Sequence, residues 1–118
     1  ILSVADIVAV LYNDVANVSP ENLNDENRDR VILSKGHAGA SIYAALAEKG
    51  FFDTKELKTH YADGSRLSGH VSHKGVPGVE FSTGSLGHGV CVGAVVYISA
   101  VQEIYENLRL YRTQKNIL

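Results

Sequence analysis

Hydrophobic and polar positions divide this chain into a periodic N-terminal part, a polar and glycine-rich middle, and one long apolar run near its end. Val4, Ile7, Val8, Leu11 and Val15 recur at three- and four-residue spacing, which predicts an amphipathic helix to about Ala16. Ser3 with Asp6 has the form of a capping box at its start, the acid favoured at the positive helix end. Residues 17–30 are polar, carry Pro20 and lack any period, so they predict a surface connection. Val31, Ile32 and Leu33 are too short a run to settle as strand or helix. From Ala38 a second helix is predicted, with Ile42, Tyr43, Leu46 and Ala47 on one face and Gly50 as its stop. Asp53 and Glu56 predict the capping pair of a short helix through about Tyr61, with His60 in the helix-terminal place that favours a charged imidazole.

Residues 62–82 are poor in apolar anchors and carry Gly64, Gly69, Gly75, Pro77 and Gly78. A connection of that length in a small domain is more often functional than idle. The stretch GVEFSTGSLGHGVCVGAVVYISA, residues 78–100, then passes from a glycine-rich turn straight into an apolar segment. From Val90 to Ala100 the only strongly polar side chain is Ser99, which predicts a helix apolar on every side and therefore buried. Cys91, between Val90 and Val92, is expected to be a small buried filler. Val101, Ile104, Tyr105, Leu108 and Tyr111 continue the helical period, and TQKNIL at the end reads as a turn leading into a strand or a tail.

At 118 residues, 45% hydrophobic and 20% charged, the composition is that of one globular domain. A formal charge of -2, with Lys and Arg scattered, offers no basic field for nucleic acid. The single cysteine cannot close an internal disulfide, which fits a cytoplasmic location. The longest apolar run falls short of the roughly 20 residues of a spanning helix, so no membrane partner is expected. No methionine occurs and residue 1 is Ile1, from which a missing upstream segment is expected.

Candidate chemistry gathers at three places. His37 stands in SKGHA at the predicted start of the second helix, where the positive helix end favours an anionic ligand. His70 follows Gly69 on the long loop, where backbone can bring an imidazole close to a ligand. Gly84, Gly87 and Gly89 remove side chains where backbone must approach something closely, while Thr83 and Ser85 offer hydroxyls for capping or for a ligand. Each feature also has a plainer reading: a helix-terminal histidine, a loop histidine bonded to nearby carbonyls, a glycine turn kept for packing. A zinc site from His60, His70 and His73 competes, although no Cys pair or His-Glu motif accompanies it.

SKGHA (34–38), GSRLSGH (64–70) and PGVEFSTGSLGHG (77–89) together resemble transketolase, and more narrowly its separately encoded N-terminal subunit. The similarity covers about residues 2–100. It implies an α/β fold, a thiamine diphosphate-binding domain whose parallel sheet is flanked by helices, with residues 1–118 a mainly helical part truncated at both ends. The implied reaction moves a two-carbon ketol unit between sugar phosphates, as in the pentose phosphate pathway, with thiamine diphosphate as electron sink. The family's motifs make His37 and His70 catalytic and set His37, Gly84, Ser85 and Leu86 against the cofactor. In the family the diphosphate is held through Mg2+ or Ca2+ on a Gly-Asp-Gly aspartate and a later asparagine, and neither motif occurs here, so no metal ligand is assigned. The implied partners are a C-terminal transketolase subunit or the remainder of the chain, in a homo- or hetero-oligomer such as a dimer.

Two positions depart from the family pattern: Val71 stands where a proline is usual and His88 where a glutamine is usual. His88 is expected to bond within its loop. A sister thiamine enzyme, such as a deoxyxylulose-phosphate synthase or a keto-acid dehydrogenase component, would share the fold, but SKGHA and STGSLG speak against both. A non-catalytic interaction module of the same fold would keep the packing and lose the metal motif.

Overall fold

The computed structural model describes the backbone of residues 1–114 and the side chains of residues 1–110. Three α-helices, α1 (Leu2–Val10), α2 (Gly39–Glu48) and α3 (His88–Gln114), are joined by short turns and irregular backbone. The expectation of a mainly helical segment holds, and no strand occurs among the described residues, Val31, Ile32 and Leu33 included. The molecule measures 59 × 29 × 28 Å, because α1, α2 and the loops pack at one end and α3 projects from it.

α2 is the centre of that packed end. Its apolar face is the predicted one, with Ile42, Tyr43, Leu46 and Ala47 all buried. At about 1.5–3 kcal/mol for each large side chain buried, this face is the main local source of stability. Gly50, at φ +90°, ends the helix in a Schellman arrangement, its N–H donating to Ala47 O and that of Phe51 to Leu46 O, both at 3.0 Å. Val8 and Tyr12 pack on α2 from one side, and Leu67, Val71 and Val76 of the long loop complete the cluster.

α1 differs from its expectation in two ways. It begins at Leu2, so Ser3 already lies inside the first turn, and the capping residue Ile1 offers no side-chain acceptor. A π turn, Leu11–Val15, follows at once, closed by the N–H of Ala16 on Leu11 O at 2.7 Å. α2 covers only a narrow i, i+4 stripe, so Val8 and Tyr12 are buried while Ile7 and Val15 are each 66% exposed. Burial, and secondarily the charge of Glu80, push the Tyr12 phenol up to about 12.

The polar connection after α1 is irregular apart from a 3-10 turn at Pro20–Asn22 capped by Ser19. Thr54–Thr59 is likewise a 3-10 turn rather than an α-helix. Asp53 caps it as expected, accepting from the N–H of Lys55 at 2.8 Å. Glu56 instead binds the guanidinium of Arg66, whose hydrogen bonds hold this carboxyl below the usual range. His60 does end the turn, but its ring packs near Tyr43 and Tyr61, with centroids 6.0 and 6.2 Å away, and its Nε2 is buried without a hydrogen-bond partner.

α3 is the element that this segment leaves uncovered. Its apolar residues, Val90, Val95, Tyr97 and Ile98 among them, are exposed, and so is Cys91, so within this segment neither the helix nor the thiol has the cover expected of a larger fold. A helix apolar on every side needs cover on every side, and neither α1 nor α2 packs along its length. Contrary to the expectation from run length, His88–Leu110 is long and apolar enough to cross a membrane by length and composition, a property that core helices of larger folds share. Of TQKNIL, Thr113 and Gln114 continue α3, and residues 115–118 lie outside the described residues.

Exposed apolar surface on this scale favours association. Residues 1–118 alone are expected to sediment as oligomers, and Val95→Glu combined with Ile98→Glu to shift them toward monomer; a monodisperse wild-type monomer would contradict this. Tyr12 makes a second prediction. The folded state holds the phenol proton more tightly than the unfolded chain, so its contribution is full below about pH 10 and is lost as pH rises toward 12. Tyr12→Phe is expected to flatten that alkaline fall, measured as denaturation midpoint against pH.

Candidate active site

Three segments meet at the start of α3: residues 34–39, residues 68–72 and residues 82–89. The junction is nearly side-chain free. A Cβ on Gly36 would lie 2.0 Å from the carbonyl oxygen of Thr83, and one on Gly39 would lie 2.6 Å from the nitrogen of Val71. Real Cβ atoms do not approach backbone so closely, so glycine at residue 36 is what lets the segments touch. The carbonyl of Gly36 accepts the N–H of Val71 at 2.9 Å, and Ser34 Oγ accepts the N–H of Gly89 at 3.1 Å.

Thr83 does not play the expected part. It is buried, and its hydroxyl donates to Leu33 O instead of capping α3 or facing a ligand. Ser34, from the SKGHA segment, supplies the acceptor for the first turn of α3. Just upstream, the carboxylate of Glu80 takes both terminal nitrogens of Arg28, with Arg30 at 3.9 Å on its other oxygen. The side chains of Arg28 and Glu80 are only 9% and 16% exposed, so this pair is an internal tie between the polar connection and the glycine loop.

The junction brings His37 and His70 together. His37 lies in the 3-10 turn Gly36–Ala38, one turn ahead of α2, and its ring centroid is 6.4 Å from that of His70, the rings inclined at 64°. Both residues are exposed, and among the described residues neither ring has a hydrogen-bond partner. The plainer reading of a loop histidine bonded to nearby carbonyls is therefore not what is found; the nitrogens of both imidazoles are open to solvent.

Gly84 lies against Gly36, the residue before His37, since a Cβ on Gly36 would come 3.0 Å from its nitrogen. A Cβ on Gly84 itself would meet nothing within 4 Å, and its φ is not left-handed, so neither packing nor torsion within this chain demands glycine there. Ser85 is exposed and Leu86 is 75% exposed, so the turn that follows Gly84 presents bare backbone and an apolar side chain at the surface.

The remaining histidines take other roles. Ser82 Oγ accepts the N–H of His73 at 2.9 Å and lies 2.6 Å from its Nδ1. Phe81 stacks on His73 and meets His88 edge-on, with centroids 6.4 and 5.6 Å apart. His88 thus makes a ring contact within its loop rather than the expected polar bond. The zinc alternative has no site, because among the described residues no three His, Cys, Asp or Glu side chains are grouped to hold a metal.

Residues 1–111 match the family described as transketolase, thiamine diphosphate binding domain. This chain belongs to that family. Among relatives, the transketolase-family chain is 46% identical over 88 residues to ferredoxin fas2 of Rhodococcoides fascians, covering 75% of this chain and 29% of that protein. It is 41% identical over 88 residues to the 6-deoxy-6-sulfo-D-fructose transketolase subunit SqwG of Clostridium sp. (strain MSTE9), covering 75% and 32%. It is 44% identical over 89 residues to the transketolase of Aquifex aeolicus (strain VF5), covering 75% and 13%. The chain spans about a third or less of the length of these curated relatives. The resemblance carried by SKGHA, GSRLSGH and PGVEFSTGSLGHG is thus a family membership.

The two kinds of glycine predict opposite behaviour. In the complete protein, Gly36→Ala is expected to lower unfolding stability by about 1–3 kcal/mol, the scale of overpacking. Gly84→Ala is expected to stay within about 0.5 kcal/mol of wild type, as an unobstructed exposed site should. Denaturant titration of both variants checks the contrast, and equal losses would contradict it.

Proposed function

We propose that this chain is the N-terminal part of a transketolase-type transferase that moves a two-carbon ketol unit between sugar phosphates. The observation that carries the reading is the convergence of two unbonded imidazoles, His37 and His70, beside a turn whose glycine at residue 84 opens onto empty space. Thiamine diphosphate, for which the family's domain is named, would be held by the backbone of Gly84 and Ser85 and the side chains of His37 and Leu86. When bound it supplies the electron sink for the ketol unit. Mg2+ or Ca2+ would complete the diphosphate site with ligands from beyond the described residues.

His37 and His70 would then orient sugar hydroxyls and take or return protons at them, since an unbonded imidazole can accept at one nitrogen and donate at the other. Leu86 would offer its apolar side chain to the cofactor. On this reading α3 is covered by the rest of an α/β domain with a parallel sheet, so its apolar surface serves a core and not a bilayer. A C-terminal subunit or the remainder of the chain, a dimeric or larger assembly, and a cytoplasmic setting complete the proposal.

The test uses the complete protein with its partner subunit. Wild type is expected to bind thiamine diphosphate saturably in the presence of Mg2+ by calorimetry and to transfer a ketol unit from a ketopentose phosphate to an aldopentose phosphate. His70→Ala is expected to cut turnover at least tenfold with little change in melting temperature, and Gly84→Val to weaken cofactor binding by more than about 1.4 kcal/mol, the tenfold mark. Cofactor binding without turnover would favour the non-catalytic module. Unchanged specific activity in a destabilised His70→Ala would remove that residue from the chemistry.

A further inference from the structure

Tyr43 is fully buried on α2, yet its hydroxyl reaches out of the core to the loop that carries His70. It donates to the carbonyl oxygen of His70 at 3.1 Å and accepts the N–H of Ser72 at 2.9 Å, so it grips the backbone on both sides of Val71. Ser68 Oγ donates to the same His70 carbonyl at 2.7 Å and lies 3.5 Å from the tyrosine oxygen. The N–H of Val71 is taken by Gly36 O, so the polar backbone just after His70 is committed. The His70 ring has no hydrogen-bond partner of its own among the described residues. Its place opposite His37 is therefore set through its backbone.

We propose that Tyr43 is a positioning residue for His70: its hydroxyl fixes the loop backbone that aims this imidazole at His37 and at the sugar substrate. The inference rests on the catalytic reading of His70. Val71 and Ser72 cannot do the same work, since the first is an apolar anchor 3% exposed and the second contributes its N–H to the tyrosine. The aromatic ring supplies packing and the oxygen supplies the aim, so the two functions of Tyr43 separate cleanly in Tyr43→Phe. That substitution keeps the ring and leaves the N–H of Ser72 without its acceptor.

The experiment is a double-mutant cycle in the complete protein with its partner subunit, using a ketopentose phosphate and an aldopentose phosphate as probes. Tyr43→Phe is expected to lower kcat at least tenfold in the wild-type background and less than twofold in a His70→Ala background, because it acts only through that ring. Cofactor affinity is expected to stay within twofold. Histidine side-chain NMR supplies a readout apart from activity: the His70 ring signal should shift or broaden in Tyr43→Phe while that of His88, which packs on Phe81 away from Tyr43, stays put. Equal fractional losses in both backgrounds, or an unmoved His70 signal, would overturn the inference. A silent His70→Ala would instead sink the catalytic reading, with the NMR comparison still deciding where the ring is held. Should Tyr43→Phe fail to fold, Ser68→Ala removes the other hydroxyl from the His70 carbonyl and is expected to give the same pattern in smaller measure.

Discussion

The tightest constraint in the molecule is the contact of Gly36 with the carbonyl of Thr83, where no side chain of any kind would fit. The same residue accepts the N–H of Val71 through its own carbonyl, so one peptide touches both other segments of the site. That double use fixes the spacing of His37, His70 and Gly84, because each is next to a residue of the junction. Side chains could not do this as well: a lysine or serine at residue 36 would push the segments apart by the width of its own stem. Rigidity here comes from backbone bonds and excluded volume, which neither titrate nor rotate.

Hydrophobic periodicity located the parts of the fold whose burial is decided locally. The α2 face and the Gly50 stop were legible because a core helix with a glycine terminus needs only its own residues to declare itself. The α1 face was read less well. Tyr12 carries an apolar body and a polar tip, so a count of aliphatic residues passes over it, and the π turn breaks the period that such a count assumes. For the site, the glycines and His37 and His70 stood out as motif residues, whereas Ser34, Arg28, Glu80 and the hydroxyl of Tyr43 act across distances in sequence that no local pattern encodes. A tyrosine on a buried face does carry one usable signal, since its oxygen must find a partner.

α3 shows the limit of the same logic from the other side. Apolarity around its whole circumference states correctly that the helix is built for cover, and says nothing of which atoms provide it. The contact of Gly89 with Ser34 anchors only its first turn, and the rest of its length stands clear of the packed end. Composition alone leaves a bilayer and a protein core as equal solvents for such a helix. The glycine turn that precedes it fixes only where the helix starts. A backbone junction packed to within one atom's radius of Ser34 and Thr83 ties the start of α3 to the aqueous face where His37 and His70 lie exposed.

The Arg28–Glu80 pair shows how the loop is held without being stiffened along its whole length. Removing two charges from water costs several kcal/mol, and their attraction roughly offsets that cost, so the pair adds little net stability. Its effect is on alternatives. With Glu80 elsewhere, Arg28 would sit largely buried and unpaired, at a cost that no nearby acceptor but the carbonyls of Leu23 and Asp29 could reduce. Conformations in which the 79–83 backbone drifts from the polar connection are therefore penalised, while the Gly84 turn, just past the hydrogen-bonded Thr83, stays uncovered. An ionic tie behind the loop and a glycine junction beneath it hold the backbone in place while His37, His70 and the Gly84 turn stay exposed.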